Sequence, residues 1–184
     1  MKTALLVMDV QSGIVERFDG AGLIERLGSA MTAARAADMA VIFVRIAFRT
    51  GYPEANPTNR SFAAIASRGD GFTLDSPATL IHPGLDSRPE DSVVLKKRVS
   101  AFAGSDLEIL LRSRKVSNLV LTGIATSGVV LSTLREAADK DYELTVLSDG
   151  CLDADEEVHR VLMTKVFPRQ ADVVTVEEWI ATVC

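Results

Sequence analysis

Short apolar runs alternating with helix-spaced segments constrain this chain more than any other feature of its sequence. Ala4 to Val10 is apolar but for Asp9, and Ala40-Val41-Ile42-Phe43-Val44 is apolar throughout. Ser92 to Leu95, Leu119-Val120-Leu121, Leu144-Thr145-Val146-Leu147 and Ala171 to Val176 continue the series. Such runs mark strands buried on both faces, as in parallel sheets. Between them, Leu23, Leu27, Met31 and Ala34 recur at helical spacing, as do Leu107, Leu110 and Leu111. Two further helices are expected, one from Thr126 or Ser127 burying Val130, Leu134 and Ala138, and one over Asp155–Phe167 stopped by Pro168. In the second, Val158, Val161, Leu162 and Val166 face inward, and a terminal helix carries Trp179. Alternation of this kind requires right-handed crossovers, with helices on both faces of the sheet. The expected fold is α/β: a three-layer, doubly wound, mostly parallel six-stranded sheet forming one domain over residues 1–184. The break in the pattern lies between Arg49 and Asp91, an irregular excursion holding one short helix.

Composition narrows the function. A chain of 184 residues suffices for one well-buried domain. Its net charge of −5, with Lys and Arg scattered, offers nothing to a phosphate backbone, so no nucleic-acid partner is expected. The uncharged stretch from Val116 to Leu134 is too rich in Ser, Thr, Asn and Gly to lie in lipid, and no signal-peptide core precedes Asp9. A cytoplasmic protein without a membrane partner is expected. The two cysteines, Cys151 and Cys184, and the two histidines, His82 and His159, lack the spacing of a metal site or a disulfide framework, so neither metal nor cofactor is expected. Each histidine reads as exposed or hydrogen-bonded.

In a doubly wound sheet, ligands bind beyond the carboxyl ends of the strands where strand order reverses. Three chemically notable segments fall on that edge. Asp9 ends the first strand, and Gln11 follows it. Lys96 ends the third strand, beside Lys97, which reads as a solvated surface charge. The turn Gly123-Ile124-Ala125-Thr126-Ser127-Gly128 leads into a helix whose first N–H groups favour a negative group. Thr126 and Ser127 read as helix caps or as hydroxyls that would need a base to act.

Taken together, Leu5-Leu6-Val7-Met8-Asp9-Val10-Gln11, Lys96-Lys97-Arg98-Val99-Ser100-Ala101-Phe102 and Gly123-Ile124-Ala125-Thr126-Ser127-Gly128-Val129 resemble the isochorismatase-like cysteine hydrolases. That group includes nicotinamidases and N-carbamoyl amidohydrolases. The pattern K-x-R-x-S-A-F selects Lys96 over Lys97. The resemblance implies a cis peptide at Ile124-Ala125 and places the nucleophilic cysteine at the position of Val129. A valine cannot attack a carbonyl. The D-x-H that nicotinamidases carry after the second strand is replaced by Arg45-Ile46-Ala47-Phe48-Arg49. True isochorismatases also lack the cysteine and work through an Asp, although with a small residue at the valine position.

The resulting expectation is a hydrolase acting on a small polar metabolite without a covalent cysteine intermediate. Asp9 and Lys96 carry acid–base chemistry, while Gln11, Ile124, Ala125, Thr126 and Val129 contact substrate. The alternatives are a catalytically silent binding or scaffold protein and an amide hydrolase using a Ser or Thr hydroxyl. The resemblance also implies a homo-oligomer, a dimer. The excursion's Phe62, Ile65, Phe72 and Leu74 are expected to cover a pocket or meet a partner.

Overall fold

A computed structural model of the protein describes residues 2–18 and 20–183. Cys184 lies outside them. Six strands, β1 (Lys2–Met8), β2 (Ala40–Ile46), β3 (Ser92–Lys96), β4 (Val116–Ile124), β5 (Glu143–Leu152) and β6 (Asp172–Val174), form one sheet in the order β3-β2-β1-β4-β5-β6. Every pairing is parallel. The order reverses between β1 and β4, so the crevice of this doubly wound sheet opens beyond Met8 and Ile124.

The period-2 geometry of β1 supplies both cores. Ala4, Leu6 and Met8 point to one face, where they pack with Leu107, Leu111, Leu134, Ala137, Leu162 and Phe167. Leu5 and Val7 point to the other, against Leu23, Leu27, Met31, Ala34, Val176 and Trp179. Helices α1 (Ser12–Val15), α2 (Ala21–Ala36), α3 (Arg60–Ala66), α4 (Leu107–Ser113), α5 (Leu131–Asp139), α6 (Glu156–Val161) and α7 (Val176–Val183) complete the chain. Thus α2 and α7 cover one face, and α4, α5 and the segment after α6 cover the other.

Several local expectations are corrected. The four-residue α1 directly after the first strand carried no legible pattern. Val158 is exposed, not inward, because α6 gives way to a π-turn over Leu162–Val166 that changes which positions meet the sheet. Helix α5 begins at Leu131, after a π-turn over Thr126–Val130. The strands outrun their apolar cores, and β5 continues through Cys151, which sits in the sheet opposite Gly123.

The excursion between β2 and β3 holds α3 and two 3-10 turns, at Asp70–Phe72 and Pro77–Thr79. Its aromatic residues form a satellite core of Phe48, Tyr52, Phe62 and Phe72 with Ile46. Phe48 lies 5.5 Å from Tyr52 and 5.6 Å from Phe62, within the range of favourable ring pairs. The Tyr52 hydroxyl donates to Gly69 O at 2.6 Å and accepts from Phe72 N at 3.1 Å. Phe62 and Phe72 are therefore spent inside the excursion, and their apolar surface offers no argument for a partner.

Gly123 fixes how closely β4 approaches β1 at the crevice. Its φ is +134°, and a Cβ there would stand 2.0 Å from Met8 O. We expect Gly123→Ala to destabilise the fold by at least about 2 kcal/mol, since strained backbone and backbone clash add. Gly128→Ala, whose Cβ would meet nothing nearer than Ala125 Cβ at 3.9 Å, is the tolerated control. Urea unfolding of both variants measures the difference.

Candidate functional site

Asp9 stands at the carboxyl edge because β1 ends one residue earlier. Its amide still donates to Val44 O at 2.8 Å, while its φ of +57° turns the chain out of the ladder. Asp is among the few residues that adopt this conformation readily. Lys96 lies two strands away, at the end of β3. Adjacent strands are about 4.8 Å apart, so only a long side chain reaches from β3 past β2 to β1. Lys96 does so: its Nζ lies 2.8 Å from Asp9 Oδ2, and both side chains are buried.

The remaining Lys96 donors are also committed. Nζ donates to Arg98 O at 3.0 Å and Val99 O at 3.1 Å. An ammonium has three N–H donors, and all three are now used. Lys96 has none left for a substrate oxyanion. Asp9 is different. Its Oδ1 is buried and has no hydrogen-bond partner among the described residues. Burial raises the Asp9 carboxyl above its ordinary pKa range, and the charge and hydrogen bond of Lys96 oppose that rise.

Gln11 sits near the pair but serves the scaffold. Its Nε2 donates to Ile46 O at 3.0 Å and Thr79 O at 2.8 Å, and its Oε1 accepts from Ile46 N at 2.7 Å. The amide thereby ties β2 to the loop at Thr79. Lys97, read as a solvated charge, is half-buried, with its Nζ donating to Ala47 O at 2.5 Å.

The third segment follows β4. Ile124-Ala125 is a cis peptide, and Ile124, Thr126 and Val129 are buried. Neither Thr126 nor Ser127 caps the turn that follows. Asp153, from beyond β5, takes that role and accepts Ser127 N at 2.6 Å. Burial would raise the Asp153 carboxyl, but hydrogen bonds from Ser127, Asp155 and Ala154 outweigh it and hold the pKa below the usual range. The amides of Gly128 and Val130 turn back onto Ala125 O at 3.1 and 3.3 Å. Much of the turn's capacity for an anion is therefore already used.

The Thr126 hydroxyl lies 2.8 Å from His159 Nδ1, a contact across 33 residues that no local pattern announced. Burial lowers the His159 pKa, and the charge of Asp153 opposes this. His159 is the neighbour of the candidate site that sequence reasoning missed. Its hydrogen bond was anticipated, but its partner was not. Cys151 has no comparable setting. It is fully buried, and its thiol is pushed up to about 12 by that burial. Among the described residues, no three His, Cys, Asp or Glu side chains cluster as metal ligands, and no helix is long and apolar enough to cross a membrane.

With this geometry in view, the comparisons with known proteins are decisive for family. Residues 3–178 match the model of the isochorismatase domain. The chain belongs to the isochorismatase family. It is 32% identical to the isochorismatase family protein YecD of Escherichia coli O157:H7, over 96% of this chain and 93% of that protein. It is 33% identical to the ureidoacrylate amidohydrolase RutB of Stutzerimonas stutzeri, over 99% of this chain and 80% of that one. The solved structure of an isochorismatase family protein from Burkholderia thailandensis superposes with a TM-score of 0.88 at 30% identity, covering 99% of this chain and 95% of that one.

Removing one partner of a buried ion pair strands the other. We expect Lys96→Met to cost about 3–5 kcal/mol at neutral pH, and the Asp9→Leu, Lys96→Met double variant to cost less. In Lys96→Met the folded-state pKa of Asp9 rises further, so stability is retained at low pH and lost as pH rises through it. Urea unfolding across a pH series checks both the size and the sign.

Proposed function

We propose that this isochorismatase-family protein hydrolyses a small polar amide or ureido compound by acid–base chemistry at Asp9, without a covalent thiol intermediate. The observation that carries the reading is the free Oδ1 of Asp9, the one unmatched polar atom of a pair whose lysine is saturated. A buried carboxylate with one oxygen fixed by an ammonium and the other unoccupied is suited to take a proton from water. Its raised pKa makes it a stronger base than an ordinary Asp, and Lys96 favours the ionised form.

In the proposed reaction, Asp9 Oδ1 accepts a proton from a water molecule as its oxygen bonds to the carbonyl carbon. The carbonyl π pair moves to oxygen, and backbone amides near Ala125 and Val129 stabilise the resulting oxyanion. When the C=O re-forms, the C–N bond breaks, and the leaving nitrogen takes the proton from Asp9. Lys96 touches no reacting atom and acts as a positioning residue. The amidohydrolase activity in the name of the RutB relative supports the choice of C–N hydrolysis. Val129, at the position the resemblance gives to a cysteine, leaves water as the nucleophile.

A second reading, hydrolysis through a hydroxyl, is favoured by one observation: Thr126 Oγ1 lies 2.8 Å from His159 Nδ1. A hydroxyl and an imidazole nitrogen stand at hydrogen-bonding distance, as a nucleophile and its base would. Against it, Thr126 is fully buried, and the contact joins the turn to α6 in the manner of a structural clamp.

Screening the purified protein against amide, ureido and vinyl ether compounds tests the proposal. Asp9→Asn is expected to abolish turnover, roughly a loss of 10²-fold or more. Thr126→Val should retain turnover if folded, and its complete loss there would instead favour the hydroxyl reading. Because the base must be ionised and its pKa is raised, kcat/KM should fall on acidification at a pH above the usual carboxylate range. Saturable binding with no turnover of any compound would support a silent binding protein.

Val129→Cys tests the surroundings of that position. A helix N-terminus stabilises a thiolate, so the new thiol should alkylate rapidly near neutral pH. Cys151, whose thiol is held near 12, serves as the unreactive internal standard. Val129 is itself buried, in the apolar cluster that also holds Cys151, so alkylation no faster than that of an ordinary exposed cysteine would show that burial outweighs the field at residue 129.

A further inference from the structure

The turn after β4 begins directly beyond the cis peptide at Ile124-Ala125, and two consecutive residues of it are held from one later stretch of chain. Ser127 N donates to Asp153 Oδ2 at 2.6 Å, and the Thr126 hydroxyl meets His159 Nδ1 at 2.8 Å. The two ties differ in kind. Asp153 binds through a carboxylate whose pKa lies below the usual range, so it stays charged wherever an imidazole titrates. The other tie depends on which way a hydrogen points.

Thr126 is fully buried, and among the described residues Nδ1 is the partner its hydroxyl has. A hydroxyl donates one hydrogen, and a neutral imidazole carries one N–H and one bare nitrogen. With the ring proton on Nε2, Nδ1 accepts the Thr126 hydrogen and both groups are satisfied. With a proton on Nδ1, the ring donates to Oγ1 instead. The hydroxyl hydrogen then faces an interior where it has no second acceptor among the described residues. A buried donor left unpaired loses its hydration without return.

The charges around the ring act in both directions. Helix α6 packs against the turn after β4 and against the π-turn over Leu162–Val166. The turn after β4 brings no titratable side chain, and the π-turn brings Lys165. At or on the helix itself stand Asp155, Glu156, Glu157 and Arg160, the last two paired at 2.6 Å. Burial lowers the His159 pKa, and Asp153, from the loop after β5, opposes it without reversing it. His159 is therefore neutral at neutral pH and takes its proton below the ordinary histidine range.

We propose that His159 is a positioning residue: its neutral imidazole, accepting the Thr126 hydroxyl, holds the turn that carries Ala125 and Val129, and protonation of the ring releases that hold. The use of the turn's amides for an oxyanion rests on the reaction given above, whereas the clamp itself does not. His159 touches no reacting atom. Acid breaks one of the two ties and leaves the Asp153 tie in place. Because the folded-state pKa is lowered, the unfolded chain takes up the proton first. The stability supplied by the neutral ring is present above the ordinary histidine pKa and is lost as pH falls through the lowered one.

The test follows both imidazole rings and the backbone amides of the full chain by NMR between about pH 8 and pH 5. The native His159 ring should show the Nε2–H tautomer at neutral pH, and the amide shifts of residues 125–130 should titrate with its midpoint. Thr126→Ser should keep both properties. His159→Asn identifies the His159 signals against those of His82 and offers the hydroxyl an acceptor that does not titrate. It should preserve the neutral-pH shifts of the turn and abolish their titration. His159→Leu should speed hydrogen exchange at the turn amides by about tenfold, as expected for the loss of one hydrogen bond. For any compound that is turned over, His159→Asn should keep kcat, while His159→Leu and Thr126→Val should lower it about tenfold at unchanged KM. An Nδ1–H tautomer, turn amides indifferent to His159 protonation, or a titration of the turn that persists in His159→Asn would overturn the proposal. If His159→Leu does not fold, the native tautomer and His159→Asn give the answer. The NMR readouts need no substrate, so the clamp and the acid–base reading at Asp9 fail separately.

Discussion

A lysine that spans two strands to reach one carboxylate organises the carboxyl edge of this sheet. Lys96 draws together the end of β1, through Asp9, and the loop after β3, through the carbonyls of Arg98 and Val99. Neither charge is exposed to water, so each depends on the geometry of the other. The close passage of β4 at Gly123 and the tie of Gln11 to Ile46 and Thr79 hold the surrounding backbone. With the lysine saturated, whatever polar chemistry the pair performs falls to a single carboxylate oxygen.

The fold was largely legible in the sequence because its cause is simple. A sheet covered on both faces needs strands that are apolar at successive positions, and β1 and β2 write that pattern over Ala4–Met8 and Ala40–Val44. The excursion between β2 and β3 was less legible. Its aromatic residues looked like a surface awaiting a partner, yet Phe62 and Phe72 close on Phe48 and Tyr52. Separate stretches of chain meet there, and no short period encodes such a meeting. Val158 failed for a related reason: the helical period presumes a uniform helix, and a π-turn resets the faces.

The candidate site was legible as a neighbourhood of residues and less so in its hydrogen bonds. Asp9 and Lys96 were brought together as expected, and the cis peptide falls at Ile124-Ala125. What spacing cannot convey is how many hydrogen-bond donors remain free. Lys96 looked able to orient a substrate until its three partners were counted, and Gln11 looked available until both ends of its amide were found on backbone groups. His159 and Asp153 lie in a later stretch of chain and reach the turn only through tertiary packing. In the family resemblance, the turn's N–H groups are the obvious place for an anion. Here the protein supplies its own.

Asp153 is in effect a resident ligand. It is tethered to the turn through the chain that follows β5, so its local concentration at Ser127 N exceeds what a free metabolite reaches in solution. An incoming anion at that amide must displace a carboxylate that never diffuses away. A neutral carbonyl faces no such competitor until its oxygen gains charge during reaction, when the amides still unclaimed nearby become most valuable to it. The turn is thereby biased against charged ground states and towards charge that develops late.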